Sequence, residues 1–279
     1  MTGRSVRSEP EVFVKHRVDA PEGFFAAEAA GLAWLGAATA DGGAAVVDVV
    51  GVGPHELRLR RLHPVPPTAA AAEHLGRARA VTHRSGAAAF GRTAPGTGGL
   101  SWIGPLPLPV DEPAAGTEPA PAPPAPTTSW GPFFAARRLL PFLRQARERR
   151  AVDADGERAV RAVCDRLAGA DPGLTGPPEP VARLHGDLWS GNVMWTATGA
   201  VLVDPSAHGG HRESDLAMLA HFGAPHLDRV LAAYDEVWPL AAGWRRRVGL
   251  HQLYPLLVHA VLFGGGYGAE AVTVARRYA

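Results

Sequence analysis

Cysteine, lysine, asparagine and isoleucine are almost missing from this sequence. Among 279 residues Cys164 is the only cysteine, which excludes an internal disulfide and a cysteine-rich metal centre. Of the 28 cationic side chains only Lys15 is a lysine, and Asn192 and Ile103 are the sole residues of their kinds. An excess of either charge is absent too, with 28 Lys+Arg against 27 Asp+Glu and a net charge of +1. Binding to nucleic acid or to a membrane surface through bulk positive charge is thereby excluded. No run approaches the roughly 18 uninterrupted apolar residues of a membrane span, and the opening MTGRSVRSEPEVFVKHR has no apolar signal core. The expectation is a cytoplasmic protein with no membrane or nucleic-acid partner. At 46% hydrophobic and 20% charged residues, the chain is composed like a folded globular protein.

A GC-rich coding sequence explains why the scarce types are scarce, because their codons are AT-rich. It does not explain where the survivors sit. A lysine kept where arginine is otherwise universal suits a site needing a compact ammonium rather than a planar fork. A lone asparagine likewise suits a site needing a neutral amide oxygen.

Hydrophobic patterning gives a strand at 11–15 and an amphipathic helix at 22–35, with Phe25, Ala29, Leu32 and Leu35 on one face. Two strand-like runs follow at 44–52 and 55–62, completing an α/β unit of about 60 residues. Thr68 is placed to cap a helix reaching about His83. The run DEPAAGTEPAPAPPAPTT (111–128) reads as a flexible surface insertion, since it offers little apolar surface to offset ordering. Helices are expected at 131–150 and 155–168. A strand-loop-strand region over 181–205 precedes helices near 212–222, 225–237, 243–263 and 267–278.

The chemistry concentrates in His185-Gly186-Asp187-Leu188-Trp189-Ser190-Gly191-Asn192. An Asp followed five residues later by Asn is the spacing of a phosphotransferase catalytic loop, where the Asp takes the proton of the attacking hydroxyl and the amide oxygen binds a divalent metal. The same pattern also fits a polar loop between strands. A second acid, Asp204, ends the apolar run Ala200–Val203, and a hairpin would bring it beside Asn192. One carboxylate and one amide oxygen, completed by phosphate oxygens, suit Mg²⁺. The close pair His208/His211 falls short of a zinc site. Lys15, in Val-Phe-Val-Lys, matches a strand lysine that contacts nucleotide phosphates, and Glu28 on the following helix is its natural partner. Asp215 stands at the start of a helix, where it would cap that helix or buttress the loop through backbone N–H groups.

The runs HGDLWSGN and VDPSAHGGHRESDLAML, with FGGGYG near the C-terminus, resemble the fructosamine kinases, or ketosamine 3-kinases. Phe90-Gly91, Ile103-Gly-Pro-Leu-Pro and Trp130-Gly-Pro-Phe-Phe look like that family's middle section. The resemblance implies an α+β, two-lobed protein-kinase-like fold: a small sheet-containing N-lobe over 1–62 and a larger, mainly helical C-lobe over 63–279. It implies transfer of phosphate from ATP, with Mg²⁺, to the 3-hydroxyl of a ketosamine, either a small sugar–amine adduct or a glycated protein. Such an activity counts as deglycation repair. By position Asp187 would be the base, Asn192 and Asp204 the metal ligands, and Lys15 with Glu28 the phosphate contact. Trp189 would stack on the sugar or serve as a buried anchor, with His185 and Asp215 in support. Adenine would lie near Leu57–Leu62.

Two features depart from the family pattern. Only 14 residues precede Lys15, with one glycine, Gly3, too few for two strands and a Gly-rich loop over the phosphates. The expected N-lobe is therefore truncated, through either a start placed too far downstream or a genuine loss. The lysine strand would then lie near a sheet edge, giving a monomer or a weak dimer. The insertion at 111–128 is also longer than the family leads one to expect. Two other functions stay open: a kinase of the same fold acting on an aminoglycoside or amino alcohol, and a catalytically silent binding protein.

Overall fold

The computed structural model describes residues 8–9, 11–110 and 129–279, so the expected insertion at 111–128 lies outside the described residues. The chain opens with strands β1 (Ser8–Glu9) and β2 (Val12–His16), helix α1 (Phe24–Gly36), and strands β3 (Ala45–Val46), β4 (Val49–Val52) and β5 (Glu56–Arg60). Helix α2 (Ala69–Arg84) leads to a small hairpin of β6 (Trp102–Ile103) and β7 (Leu106–Pro107). Then come α3 (Trp130–Phe133), a π-helical stretch (Phe134–Leu139), α4 (Leu140–Glu148), α5 (Ala154–Ala168) and the single turn α6 (Pro172–Thr175). The last third carries β8 (Ala182–Leu184), β9 (Val193–Thr196), β10 (Gly199–Leu202) and β11 (His208–Gly210). Helices α7 (Glu213–His221), α8 (Leu227–Val237), α9 (Trp244–Phe263) and α10 (Tyr267–Ala275) complete it.

A four-stranded antiparallel sheet in the order β1-β2-β5-β4 forms the small part of this α+β fold. Lys15 on β2 sits opposite Leu57 on β5, and the apolar undersides of the sheet and α1 meet through Phe25, Leu32, Val47, Leu57 and Leu59. The expected absence of the first strand, though not of the Gly-rich loop, needs correction. Ser8 and Glu9 pair with Phe13 and Val12, so a two-residue strand covers the start of that edge. The single strand expected over 44–52 is also corrected. It breaks at Val47–Asp48, and β3 leaves the first sheet to pair in parallel with β10, Ala45 opposite Val201. A short parallel ladder thus ties the small part to the strand that ends in Asp204.

The larger part is mainly helical. Its core packs α4, α5, α9 and α10 around Phe142, Val160, Leu167, Leu250 and Leu257. Thr68 caps α2 as its position suggested, accepting from the Ala71 amide at 3.2 Å. The helix expected over 131–150 is not uniform. Pro141 has no N–H to give to the Arg137 carbonyl four residues back, and the ladder slips into a π-helical stretch just ahead of it. The Arg137 carbonyl is taken instead by Arg138 Nη1 at 3.1 Å. Cys164 is buried in α5, and burial pushes its thiol up to about 12, which makes it an inert packing residue. Among the described residues no helix is long and apolar enough to cross a membrane.

One close approach sets the seat of the site. Helix α2 lies on α8 at Gly76, where an added Cβ would come within 2.2 Å of the Val230 carbonyl oxygen. Glycine inside a helix costs about 1 kcal/mol relative to alanine, so Gly76→Ala would stabilise an unpacked helix. Here the methyl group meets backbone that cannot yield. Gly76→Ala is expected to lower the denaturant midpoint by more than Thr68→Ala, a cap loss of about 1 kcal/mol. Equal or higher stability would show that the two helices can separate without cost.

Candidate active site

The segment after β8 turns sharply because Gly186 adopts a φ of 80°. A side chain there would come within 2.2 Å of the Ser206 carbonyl and 2.9 Å of His208 Nδ1, so only glycine fits against the strand that follows Asp204. His185 is fully buried. Its Nε2 donates to the Val203 carbonyl at 2.9 Å and its Nδ1 accepts from the Asp187 amide at 3.3 Å. These two contacts fix one neutral tautomer, and burial pushes the ring down to about 4. His185 thereby joins the backbone at Asp187 to the end of β10.

Asp215 holds the same loop from behind. Its Oδ2 accepts from the His185 amide at 2.8 Å and its Oδ1 from the Gly186 amide at 3.0 Å. Arg79 Nη2 lies 2.7 Å and His83 Nε2 3.1 Å from Oδ2. Burial works to raise this carboxyl, but His83 and the Arg79 charge outweigh it and hold it well below the usual range. Of the two placements open from the sequence, the structure has the loop buttress.

Asp187 stands half-buried at the turn. Asn192, on a short 3₁₀ turn ahead of β9, donates its Nδ2 to Asp187 Oδ2 at 3.1 Å, to the Asp187 carbonyl at 2.8 Å and to the Asp204 carbonyl at 3.4 Å. With that nitrogen committed, the amide oxygen is the atom left to act as a ligand. Burial pushes the Asp187 carboxyl up to about 7; the Asn192 hydrogen bond and the Lys15 charge oppose the rise, while Asp204 and Asp215 add to it.

Asp204 follows β10 with a φ of 55°, a left-handed conformation that aspartate visits more readily than most residues. Its Oδ1 accepts from Lys15 Nζ at 2.9 Å, and the same ammonium donates to Glu28 Oε1. Glu28 is carried there because α1 lies against Pro205–Ala207 at Gly31, whose Cβ position is 3.2 Å from the Ala207 methyl. Lys15, Glu28, Asp187 and Asp204 together line one part of a cavity of about 680 Å³. Phe24, Leu100, Trp102 and Pro205 contribute its apolar wall.

Trp189 is not among the residues lining that cavity. It is 40% exposed, which sets aside the buried-anchor alternative, and it meets Phe222 edge-on at 6.0 Å between ring centroids. Its ring covers Gly191, where a Cβ would be only 2.3 Å away. His208 and His211 also part company. His208 Nδ1 is bonded to the Ser206 carbonyl at 2.7 Å, whereas His211 joins Glu213 and His251 in a buried group of potential ligands. Arg247 engages both Glu213 oxygens, at 2.6 and 2.9 Å, so a guanidinium already supplies the positive charge there.

Sequence reasoning missed Arg79, His83 and Tyr234, whose hydroxyl is 2.8 Å from His83 Nδ1. A signal was present: Arg79 and His83, four apart, interrupt the apolar stripe of Ala72, Leu75 and Ala78 on α2. The wall residues Phe24 and Trp102 gave no such signal.

The family model for fructosamine kinase matches residues 114–278. A candidate ketoamine kinase of Thermus thermophilus is 35% identical over 261 residues, covering 91% of this chain and 82% of that one. The crystal structure of a candidate fructosamine-3-kinase from Thermobifida fusca superposes with a TM-score of 0.82 at 43% identity, over 99% of this chain and 94% of that one. The gentamicin complex of the aminoglycoside phosphotransferase APH(2")-IIa is 10% identical with a TM-score of 0.60, over 98% and 88% of the two chains. That last likeness shows the fold alone, which is protein-kinase-like.

The buried imidazoles predict a pH response. Burial holds His83 and His185 down at about 4 and His208 at about 3, against about 6.5 in an unfolded chain. Between those values the unfolded chain binds protons that the folded one refuses, so stability falls as pH drops from 6.5. Each group contributes about 1.4 kcal/mol per pH unit. The raised Asp187 carboxyl works the other way, as one group against three. The melting temperature is expected to fall steeply between pH 6.5 and 4.5; a flat profile would mean that these rings take up protons in the folded state.

Proposed function

The chain belongs to the fructosamine kinase family, and we propose that it transfers the γ-phosphate of ATP to the 3-hydroxyl of a ketosamine. The observation that carries this reading is the convergence on one cavity of Lys15, Glu28, Asp187 and Asp204, from four separate segments, with Asn192 locked beside them. In this reading Asp187 accepts the proton as the hydroxyl oxygen forms its bond to phosphorus and the bond to the ADP oxygen breaks. A raised carboxyl suits that task, because a base must be willing to hold the proton it takes. Asp204 and the Asn192 amide oxygen form a hard-oxygen pair that fits Mg²⁺, which would neutralise phosphate charge when bound. Lys15, oriented by Glu28, would exchange its contact with Asp204 for a phosphate oxygen.

Residues 1–62 would then serve as the nucleotide-holding lobe, with adenine near Leu57–Leu62, and 63–279 as the lobe bearing the reaction. Trp189, outside the cavity but two residues from Asp187, would stack on the sugar from the Phe222 side. The product's 3-phosphate makes the adduct prone to break down, which gives the reaction its repair character. Cys164, alone and buried, sits comfortably in a cytoplasmic setting.

Release of ADP across a panel of ketosamines, aldosamines and aminoglycosides tests this reading. Ketosamines should give turnover that requires Mg²⁺ or Mn²⁺. Asp187→Asn should retain nucleotide binding and lose about 10²- to 10⁴-fold in kcat. Asp204→Ala should lose metal-dependent nucleotide binding, and Lys15→Arg should impair turnover despite keeping its charge. Near wild-type kcat in Asp187→Asn would remove the assigned base. Turnover only of aminoglycosides or amino alcohols would move the protein to another acceptor, and nucleotide binding without turnover would leave a silent binding protein.

A further inference from the structure

Arg79 is a costly residue for its position. It lies on α2, 1% exposed, on the helix that packs against α8 through Gly76, and its neighbours on that stripe are Ala72, Leu75 and Ala78. Its Nε and Nη1 are buried and have no hydrogen-bond partner among the described residues. A leucine or methionine there would avoid desolvating a guanidinium, and buried ion pairs seldom stabilise more than apolar packing of the same volume. What Arg79 has in return is one nitrogen, Nη2, which lies 2.7 Å from Asp215 Oδ2 and 2.7 Å from His83 Nε2.

That contact supplies something no neighbour does. His83 and His185 are both neutral near pH 7, since burial holds their rings down at about 4. Among the described residues, Arg79 is thus the full positive charge hydrogen-bonded to Asp215. Asp215 in turn accepts both the His185 and the Gly186 amide, and the next residue is Asp187. The chain of contacts is short: guanidinium, carboxylate, two amides, then the side chain at the cavity.

We propose that Arg79 is a positioning residue for phosphate transfer: its guanidinium fixes the Asp215 carboxylate, and that carboxylate sets the His185–Gly186 peptide from which Asp187 projects. This rests on Asp187 acting as the base. Without Arg79, Asp215 keeps its amide partners but loses its counter-charge in a site closed to bulk solvent, which weakens its grip on the loop. Substrate contacts are untouched, so binding should survive while the chemical step suffers.

The test combines kinetics with amide hydrogen exchange on Arg79→Met, Asp215→Asn and the double variant. Arg79→Met should lower kcat at least ten-fold while KM for ATP and for the ketosamine stays within two-fold. In the Asp215→Asn background the same substitution should cause no further loss. Additive losses in the cycle, or an unchanged kcat beside a lowered melting temperature, would make Arg79 a packing residue and overturn the proposal. Exchange of the 184–188 segment should rise at least ten-fold in Arg79→Met, and unchanged protection there also overturns it. Should Arg79→Met fail to fold, Arg79→Lys carries the exchange test, because it keeps the charge without the reach to Asp215; protection equal to wild type would overturn the proposal. If the wild type turns over no ketosamine, the proposed function fails, yet the exchange measurement still decides whether Arg79 holds the loop.

Discussion

A carboxylate sealed from water must be surrounded by donors, and the Asp215 carboxylate dictates much of what is built around it. Its two oxygens collect the His185 and Gly186 backbone amides from the loop after β8 and the Arg79 and His83 side chains from α2. No donor can drift without leaving charge unsatisfied in a medium that offers no replacement. The loop conformation is therefore set by an electrostatic requirement as much as by the glycine that permits it. The neutral histidines follow from the same condition: protonating His83 or His185 would add a second buried charge beside Arg79.

On the open side of the loop the charges are arranged in the opposite spirit. Glu28, Asp187 and Asp204 converge around one ammonium, and that ammonium, Lys15, bonds two of them. Negative groups outnumber positive ones at the cavity; burial raises the Asp187 carboxyl, and Asp204 adds to the rise. A divalent cation seated there would supply positive charge to such a cluster. Lys15 holds the carboxylates in place meanwhile. A guanidinium would reach two carboxylates by its fork, but it could not turn as a point charge from Asp204 towards a phosphate.

How much of this was legible in the sequence depends on the range of the interaction. Lys15 and Glu28 could be paired because a strand and the next helix bring them together over thirteen residues. Asp187, Asn192 and Asp204 could be grouped because a hairpin, β9 with β10, closes between them. Helix existence was readable from period and caps, as at Thr68, but the π-helical stretch before Pro141 was not, since a pattern of apolar residues does not show where one carbonyl loses its partner. Long-range pairings stayed hidden. The parallel pairing of β3 with β10 leaves no local mark in Ala45–Val46, and Arg79 reaches Asp215 across 136 residues. Buried charge interrupting an apolar stripe was the only trace it left.

The placement of Trp189 carries the last consequence. In a turn this tight, Asp187 reaches the cavity while Trp189, two residues later, lies among the rings of Phe222 and its neighbours, His259 being 4.9 Å beyond. The loop thus separates two surfaces that share one carboxylate. On the Lys15 side the groups are charged and hard, suited to phosphate and metal. On the Trp189 side they are aromatic and partly exposed, suited to the face of a sugar. In the proposed reading, an acceptor on the second surface and a nucleotide in the first would meet at Asp187. A shift of the 185–186 peptide would move Asp187 relative to both surfaces at once.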